Sequence, residues 1–274
     1  MNRILMNFRL LTIGKFRLLE RSVRELLFWK WKLDSYFRSN TNSGLNQKAT
    51  VILTCYSEKR ARNMDPLIRT LLKCDFVEKV LLSNHNPKLD IKKWIKIKND
   101  RFVLINQPVK RECGYRWLVA GNENADFFLI IDDDVLVKQK QVTLLFNKLI
   151  EHSEIPHGLS GILDNNYIVY CDTEVDILFN LYAVSKEHIK LYLKFVEKLS
   201  KDYSLPDLWI ELSDDMIISK TGNKRPMIHD AGFLLHCKTF NDVDVALTKS
   251  PYINEHRIKV SNALEKIKQS ETVI

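Results

Sequence analysis

Leu129-Ile130-Ile131-Asp132-Asp133-Asp134-Val135-Leu136-Val137 interrupts an apolar run with three consecutive carboxylates and then resumes it. Adjacent anions repel one another, and setting three at a buried strand end costs stability unless a cation offsets them. A hard divalent ion, Mn²⁺ or Mg²⁺, prefers such oxygen ligands and bridges to substrate phosphates. Standing alone, the triplet reads as a solvated acidic turn. The pattern around it decides.

Upstream, Ala49 to Tyr56 is a continuous apolar run, as expected of a strand buried on both faces of a parallel sheet. Asp65 to Cys74 has helical spacing, Val77 to Asn84 and Phe102 to Ile105 read as further strands, and Cys113 to Asn124 reads as a helix leading into a strand over Phe127 to Ile131. Strands and helices alternating at this pace define an α/β chain with a doubly wound, mostly parallel sheet flanked by helices. Ligands of such sheets bind beyond the carboxyl ends of the strands. Cys55-Tyr56-Ser57, Asn84-His85-Asn86 and Asp132-Asp133-Asp134 each follow a strand, so the three polar clusters are expected on one edge. That convergence turns the acidic triplet from a turn into a candidate site.

Downstream, Gln141 to His152 reads as a helix, and Gly158 to Leu163 and Tyr167 to Tyr170 read as short strands. An apolar stretch over Leu178 to Ser185 precedes a helix through Ser200. Trp209 to Thr221 holds a second acidic pair, and Asn254 to Gln269 reads as a charged helix.

The chain of 274 residues carries a net charge of +8, unevenly distributed. Residues 1–48 hold ten Lys and Arg against Glu20, Glu25 and Asp34, a net +7, which leaves about +1 for the rest. A nearly neutral body argues against a nucleic-acid partner. The basic segment interleaves its cations with Ile4, Leu5, Phe8, Leu11, Leu18, Leu19, Val23, Leu26, Leu27, Phe28, Trp29 and Trp31 at helical spacing. It lacks the ~20 uncharged residues of a membrane span and has no signal-peptide layout. Residues 1–48 are thus expected to form a basic amphipathic extension and linker before a domain over 49–274. Residues 1–38 either contact an anionic membrane surface peripherally or pack on the domain. Five widely spaced cysteines without a CxxC or Cys/His pattern imply reduced thiols in a cytoplasmic setting.

The order of these pieces resembles the nucleotide-sugar glycosyltransferases of the GT-A fold. Val51 to Tyr56 looks like their first strand and nucleotide-binding loop. Gly114-Tyr115-Arg116-Trp117, followed by Asn124 to Asp134, looks like the helix and strand leading into their Asp-x-Asp motif. Ser213-Asp214-Asp215-Met216 and His256-Arg257, the latter followed by Ala263-Leu264, bring it closest to the exostosin-like family 64 domain. Glu255 stands where that family has an aromatic residue.

The resemblance implies a metal-dependent transferase of hexosyl or N-acetylhexosaminyl type. It would take a UDP-sugar or related donor, a glycan or other hydroxyl acceptor, and Mn²⁺ or Mg²⁺. Asp132 and Asp134, two apart on extended backbone, project alike; Asp134 is the expected metal ligand, Asp132 a ligand of metal or ribose, and Asp133 a contact to the ribose side. His229 is the candidate third metal ligand, preferred to His236, which caps an apolar run. Thr54, Tyr56, Asn84 and Arg116 are expected to border the nucleotide, with Arg116 reaching the phosphates. Asp214, Asp215 and Arg257 are the catalytic candidates. Asp215 serves as base if the enzyme inverts and positions donor and acceptor if it retains, while Arg257 grips the diphosphate. Helix capping by Ser213 and the two acids is the plainer alternative for that pair. Two rival functions remain: a non-catalytic GT-A-like scaffold, and a nucleotidyltransferase, whose Gly-rich basic loop Cys55 to Arg60 matches in its cations but not in glycine.

Overall fold

The computed structural model describes residues 14–163, 167–239 and 253–272. The chain opens with helix α1 (Gly14–Phe37), then β1 (Ala49–Cys55), a one-turn α2 (Glu58–Ala61), α3 (Met64–Leu72), β2 (Val77–Asn84) and β3 (Phe102–Asn106). It continues with α4 (Tyr115–Gly121), β4 (Phe127–Ile131), β5 (Val135–Leu136) and α5 (Gln139–Glu151). Six short strands follow: β6 (His157–Gly158), β7 (Gly161–Leu163), β8 (Tyr167–Val169), β9 (Thr173–Glu174), β10 (Ile177–Leu178) and β11 (Leu181–Ser185). The described chain ends with α6 (Lys186–Lys201), α7 (Asp207–Glu211), α8 (Asp214–Ser219), β12 (Met227–Ile228), β13 (Leu235–His236) and α9 (Ile253–Thr272).

The central sheet runs β3-β2-β1-β4-β11-β6-β12-β9. Its first four strands are parallel, with Val51 of β1 opposite Val80 on one side and Leu129 on the other. β11 lies antiparallel on β4, placing Leu181 against Ile131. Along β1 the side chains alternate between two cores, as period-two geometry requires. Val51 and Leu53 join Leu67, Leu71, Phe146 and Trp31 on one face. Ile52 joins Trp117, Tyr182, Tyr192 and Phe195 on the other. From β1 the chain adds β2 and β3 to one side and returns to place β4 on the other. The gap between β1 and β4 is therefore the topological switch point, where doubly wound sheets open a crevice.

The stretch Gly158 to Leu163, expected as one strand, is divided between two sheets. β6 belongs to the central sheet, while β7 pairs with β8 and β10 in a small antiparallel one. Gly161 permits that change of sheet, since a Cβ there would lie 2.6 Å from Val175. The polar stretch Ser39 to Asn46 is coil, yet it is tied down: Thr41 and Ser43 both donate to the Asp75 carboxylate, at 3.0 and 2.7 Å. Helix α1 packs on the body through Trp31, which is 2% exposed and donates its indole N–H to the Val137 carbonyl at 2.8 Å. The apolar and basic residues expected over 1–13 lie outside the described residues.

Candidate active site

The acidic triplet leaves β4 at the switch point. Its backbone is held on both sides: the Asp132 N–H donates to the Asn180 carbonyl, and the Asp134 carbonyl accepts from the Cys237 N–H, each at 2.8 Å. The second contact extends the short β5–β13 ladder and ties the triplet to residues 235–239.

Two arginines meet the three carboxylates. Past the end of β1, the Ser57 hydroxyl accepts the Lys59 N–H at 3.2 Å and starts α2. This turn buries Arg60, whose Nη1 donates to Asp133 Oδ1 at 2.6 Å and stands 3.0 Å from Asp134 Oδ2. Its Nη2 reaches the Thr239 carbonyl at 3.2 Å. From α4, Arg116 is 2% exposed and pairs with Asp132 through Nη1 and with Asp214 through Nε, the latter at 2.8 Å. Its Nη2 donates to the Tyr182 hydroxyl at 3.3 Å. Asp214 Oδ2 also accepts the Trp117 indole N–H at 2.8 Å, and Cys113 Sγ lies 3.3 Å from its Oδ1. Gly114 lets α4 approach this closely, because a Cβ there would sit 2.7 Å from Glu211 Cα. One buried guanidinium thus joins the triplet to the start of α8.

This geometry changes several sequence expectations. Arg116 is a buried hub, not a cation turned toward a ligand. Asp214 accepts from Arg116 and Trp117 through Oδ2 and faces Cys113 through Oδ1, so it ties α4 to the start of α8. Asn84 builds its own loop: Nδ2 donates to the Leu89 carbonyl and Asn106 Oδ1, and Oδ1 accepts from the Asn86 N–H. Arg257 does not stand open to a diphosphate. It grips both oxygens of Asp215, at 2.8 and 2.9 Å. Ser213 makes no side-chain cap on α8. Thr54 lies at the end of β1 and Tyr56 just beyond it, 39% exposed, with Lys110 over its ring at 5.2 Å.

His229 does not join the acids. It follows β12, three strand places from β4, which is roughly 14 Å at about 4.8 Å per strand. Its Nε2 faces His157 Nδ1 at 2.9 Å, and its Nδ1 lies 3.6 Å from Asp172. His236 lies opposite Val135 in the β5–β13 ladder, its ring pushed down to about 4 by burial and by Arg24. Among the described residues, no group of three or more His, Cys, Asp and Glu is arranged to hold a metal.

The triplet nonetheless carries an unmet demand for positive charge. Asp134 Oδ1 is buried without a hydrogen-bond partner. Burial, with the Asp132 charge behind it, pushes the Asp134 carboxyl up to about 8. Burial also raises Asp132, with Arg116 acting in the opposite direction. An orphaned carboxylate oxygen fits Mn²⁺ or Mg²⁺, which take one or two protein carboxylates and complete their shell with phosphate and water. Arg60 is the site residue that the motif reading passed over. Its signal in the sequence is its place five residues after β1, in the Cys55 to Arg60 loop. Cys55 is a buried packing thiol, held well above its ordinary pKa by desolvation.

No family model and no curated protein matches the chain. Solved structures do match it in fold. GalNAc-T7 with UDP, GalNAc and Mn²⁺ aligns over 79% of this chain and 48% of its own at 10% identity, with a TM-score of 0.55. The chain thus spans about half of that protein's length. The mannosyltransferase PcManGT from Pyrobaculum calidifontis, in complex with GDP-Man and Mn²⁺, aligns over 90% and 83% at 13% identity and a TM-score of 0.49. TarS of S. aureus aligns over 79% and 71% at 14% identity and a TM-score of 0.44. The likeness to GalNAc-T7 establishes a GT-A-like α/β fold.

Proposed function

We propose that the protein is a metal-assisted glycosyltransferase that moves a sugar from a nucleoside-diphosphate donor to a hydroxyl acceptor, a glycan in the first instance. The observation that carries this is the orphaned Asp134 oxygen at the β1/β4 switch point of a GT-A-like sheet, with Arg60 beside it. Thr54 and Tyr56, at the end of β1, border the nucleoside. Asp134, with Asp132 beside it, would hold the cation. A bound Mn²⁺ or Mg²⁺ supplies Lewis-acid stabilisation of the departing diphosphate. Arg60 adds a fixed guanidinium charge on the same side, of the kind that pairs well with phosphate.

Asp215 and Arg257 stand at the other end of the hub. Both Asp215 oxygens already accept from Arg257, which suits positioning of donor and acceptor better than proton abstraction. That role agrees with the retaining chemistry implied by the exostosin-like order of Asp214-Asp215 and His256-Arg257. The preference for UDP-sugars of hexosyl or N-acetylhexosaminyl type rests on the same resemblance.

A screen of nucleotide sugars for Mn²⁺-dependent hydrolysis tests the proposal, since hydrolysis does not need the acceptor. The expected result is release of nucleoside diphosphate from one donor class, stopped by chelator and by Asp134→Ala. Pyrophosphate release from a nucleoside triphosphate would identify a nucleotidyltransferase instead. Absence of any metal-dependent nucleotide binding would leave a scaffold.

A further inference from the structure

Helix α1 has two apolar faces, and the body covers one of them. Leu27, Phe28 and Trp31 turn inward onto the core. Leu26, Trp29, Leu33 and Phe37 recur every three or four residues on the opposite face, and they are 69%, 54%, 55% and 83% exposed. A spacing of three and four residues puts all four on one stripe. Four large apolar side chains in line are more than the scattered exposure of an ordinary surface.

Beside the stripe lies a groove of about 230 Å³ between α1 and the start of α5. Its floor is apolar, from Leu27, Trp31, Phe233 and Leu235. Its rim carries Lys30, Arg38, Lys138 and Lys140 against the single acid Asp34. The four cations crowd one another: burial first, then the charges of Lys140, Lys30 and Arg38, hold the Lys138 ammonium below its ordinary range, with Asp34 opposing. Lys30 stands on the helix between stripe and groove, so the two form one surface. Apolar anchors lie on one side of it, and a cationic pocket able to take a phosphate lies on the other.

We infer that this surface docks the protein on an anionic phospholipid bilayer, with the stripe in the headgroup boundary and the groove over a lipid phosphate. Charge selects this occupant. A second copy would set a like-charged rim against the first, whereas an anionic leaflet attracts the whole basic segment. The surface is independent of the acidic triplet and does not rest on the proposed chemistry.

Co-sedimentation of the full chain with vesicles of phosphatidylcholine, alone or with phosphatidylserine, tests it. Binding should require phosphatidylserine and weaken steeply with salt. Lys138→Gln and Lys140→Gln should each lower the partition coefficient about fivefold, and Trp29→Glu with Leu33→Glu should lower it at least tenfold. All four positions are at or near the surface, and unchanged thermal unfolding of the variants confirms that folding is intact. No sedimentation, equal sedimentation with neutral vesicles, or sedimentation indifferent to Trp29→Glu and Leu33→Glu would overturn the inference. A solution dimer that Leu33→Glu dissolves, without vesicle binding, would overturn it in favour of self-association.

Discussion

Arg116 and Arg60 are buried guanidinium groups that pair with the same three aspartates, and they solve different problems. Around Arg116 each side chain has its partner: Asp132, Asp214 and Tyr182 take its three nitrogens, and Trp117 fills the remaining demand on Asp214. Around Arg60 the match is incomplete. Its own Nε and Asp134 Oδ1 are both buried without a partner. A closed network of buried charge fixes geometry, while an open one leaves something for a ligand to complete. Under the proposed function, the closed Arg116 side holds the site's geometry and the open Arg60 side is where a ligand completes the network.

The largest expected effect comes from breaking the closed side. Asp214→Ala strips the Arg116 Nε and the Trp117 indole of their acceptor and should cost ~3–5 kcal/mol of folding stability, read from urea unfolding. Unfolding like that of the parent would mean that the hub carries no structural load. On the open side the effect moves from stability to rate. Asp134→Ala should leave stability unchanged or higher, because it removes a desolvated carboxyl, yet lower metal-dependent nucleotide-sugar hydrolysis by about a hundredfold or more. Arg60→Gln sharpens the comparison further. It removes the cation shared by Asp133 and Asp134 and should cost about 1.5–3 kcal/mol in chelator, with part of the loss recovered on adding Mn²⁺. Asp214→Ala should show no such recovery.

The smallest effect is a slope with pH. His85, beside Tyr115 and Arg116, is held down to about 4 by burial and by the Arg116 charge. Its folded-state value lies below the ordinary 6.5, so the unfolded chain takes up a proton first as pH falls. Its contribution is complete above about 6.5 and is lost progressively toward 4, at no more than about 1.4 kcal/mol per pH unit. His157, also at about 4 through burial, adds in the same direction. Urea midpoints across this window check the slope, and His85→Asn should flatten it.

Much of this arrangement was written in continuous apolar runs. The four parallel strands fall within a residue or two of their expected ends; β1 and β4, buried on both faces, leave an unbroken apolar pattern. Their alternation with helices suffices to place the triplet at a strand end. The other half of the sheet was far less legible. β6, β9 and β12 have two residues each, too few for a period, so only tertiary pairing sets their order. That order separates His229 from the triplet. Likewise, a helical Arg116 reads as a cation reaching for phosphates until Asp214, 98 residues away, is folded against it. Arg60 was hidden for the opposite reason: it lies close in sequence to β1, but which way a one-turn helix aims its side chain is not a matter of pattern.

The most direct measurement is calorimetric titration of UDP into the protein with Mn²⁺, with chelator, and with Asp134→Ala in the presence of Mn²⁺. The account predicts nucleotide binding in the first case and its loss in the other two. Binding that survives chelator and the substitution undiminished would contradict it.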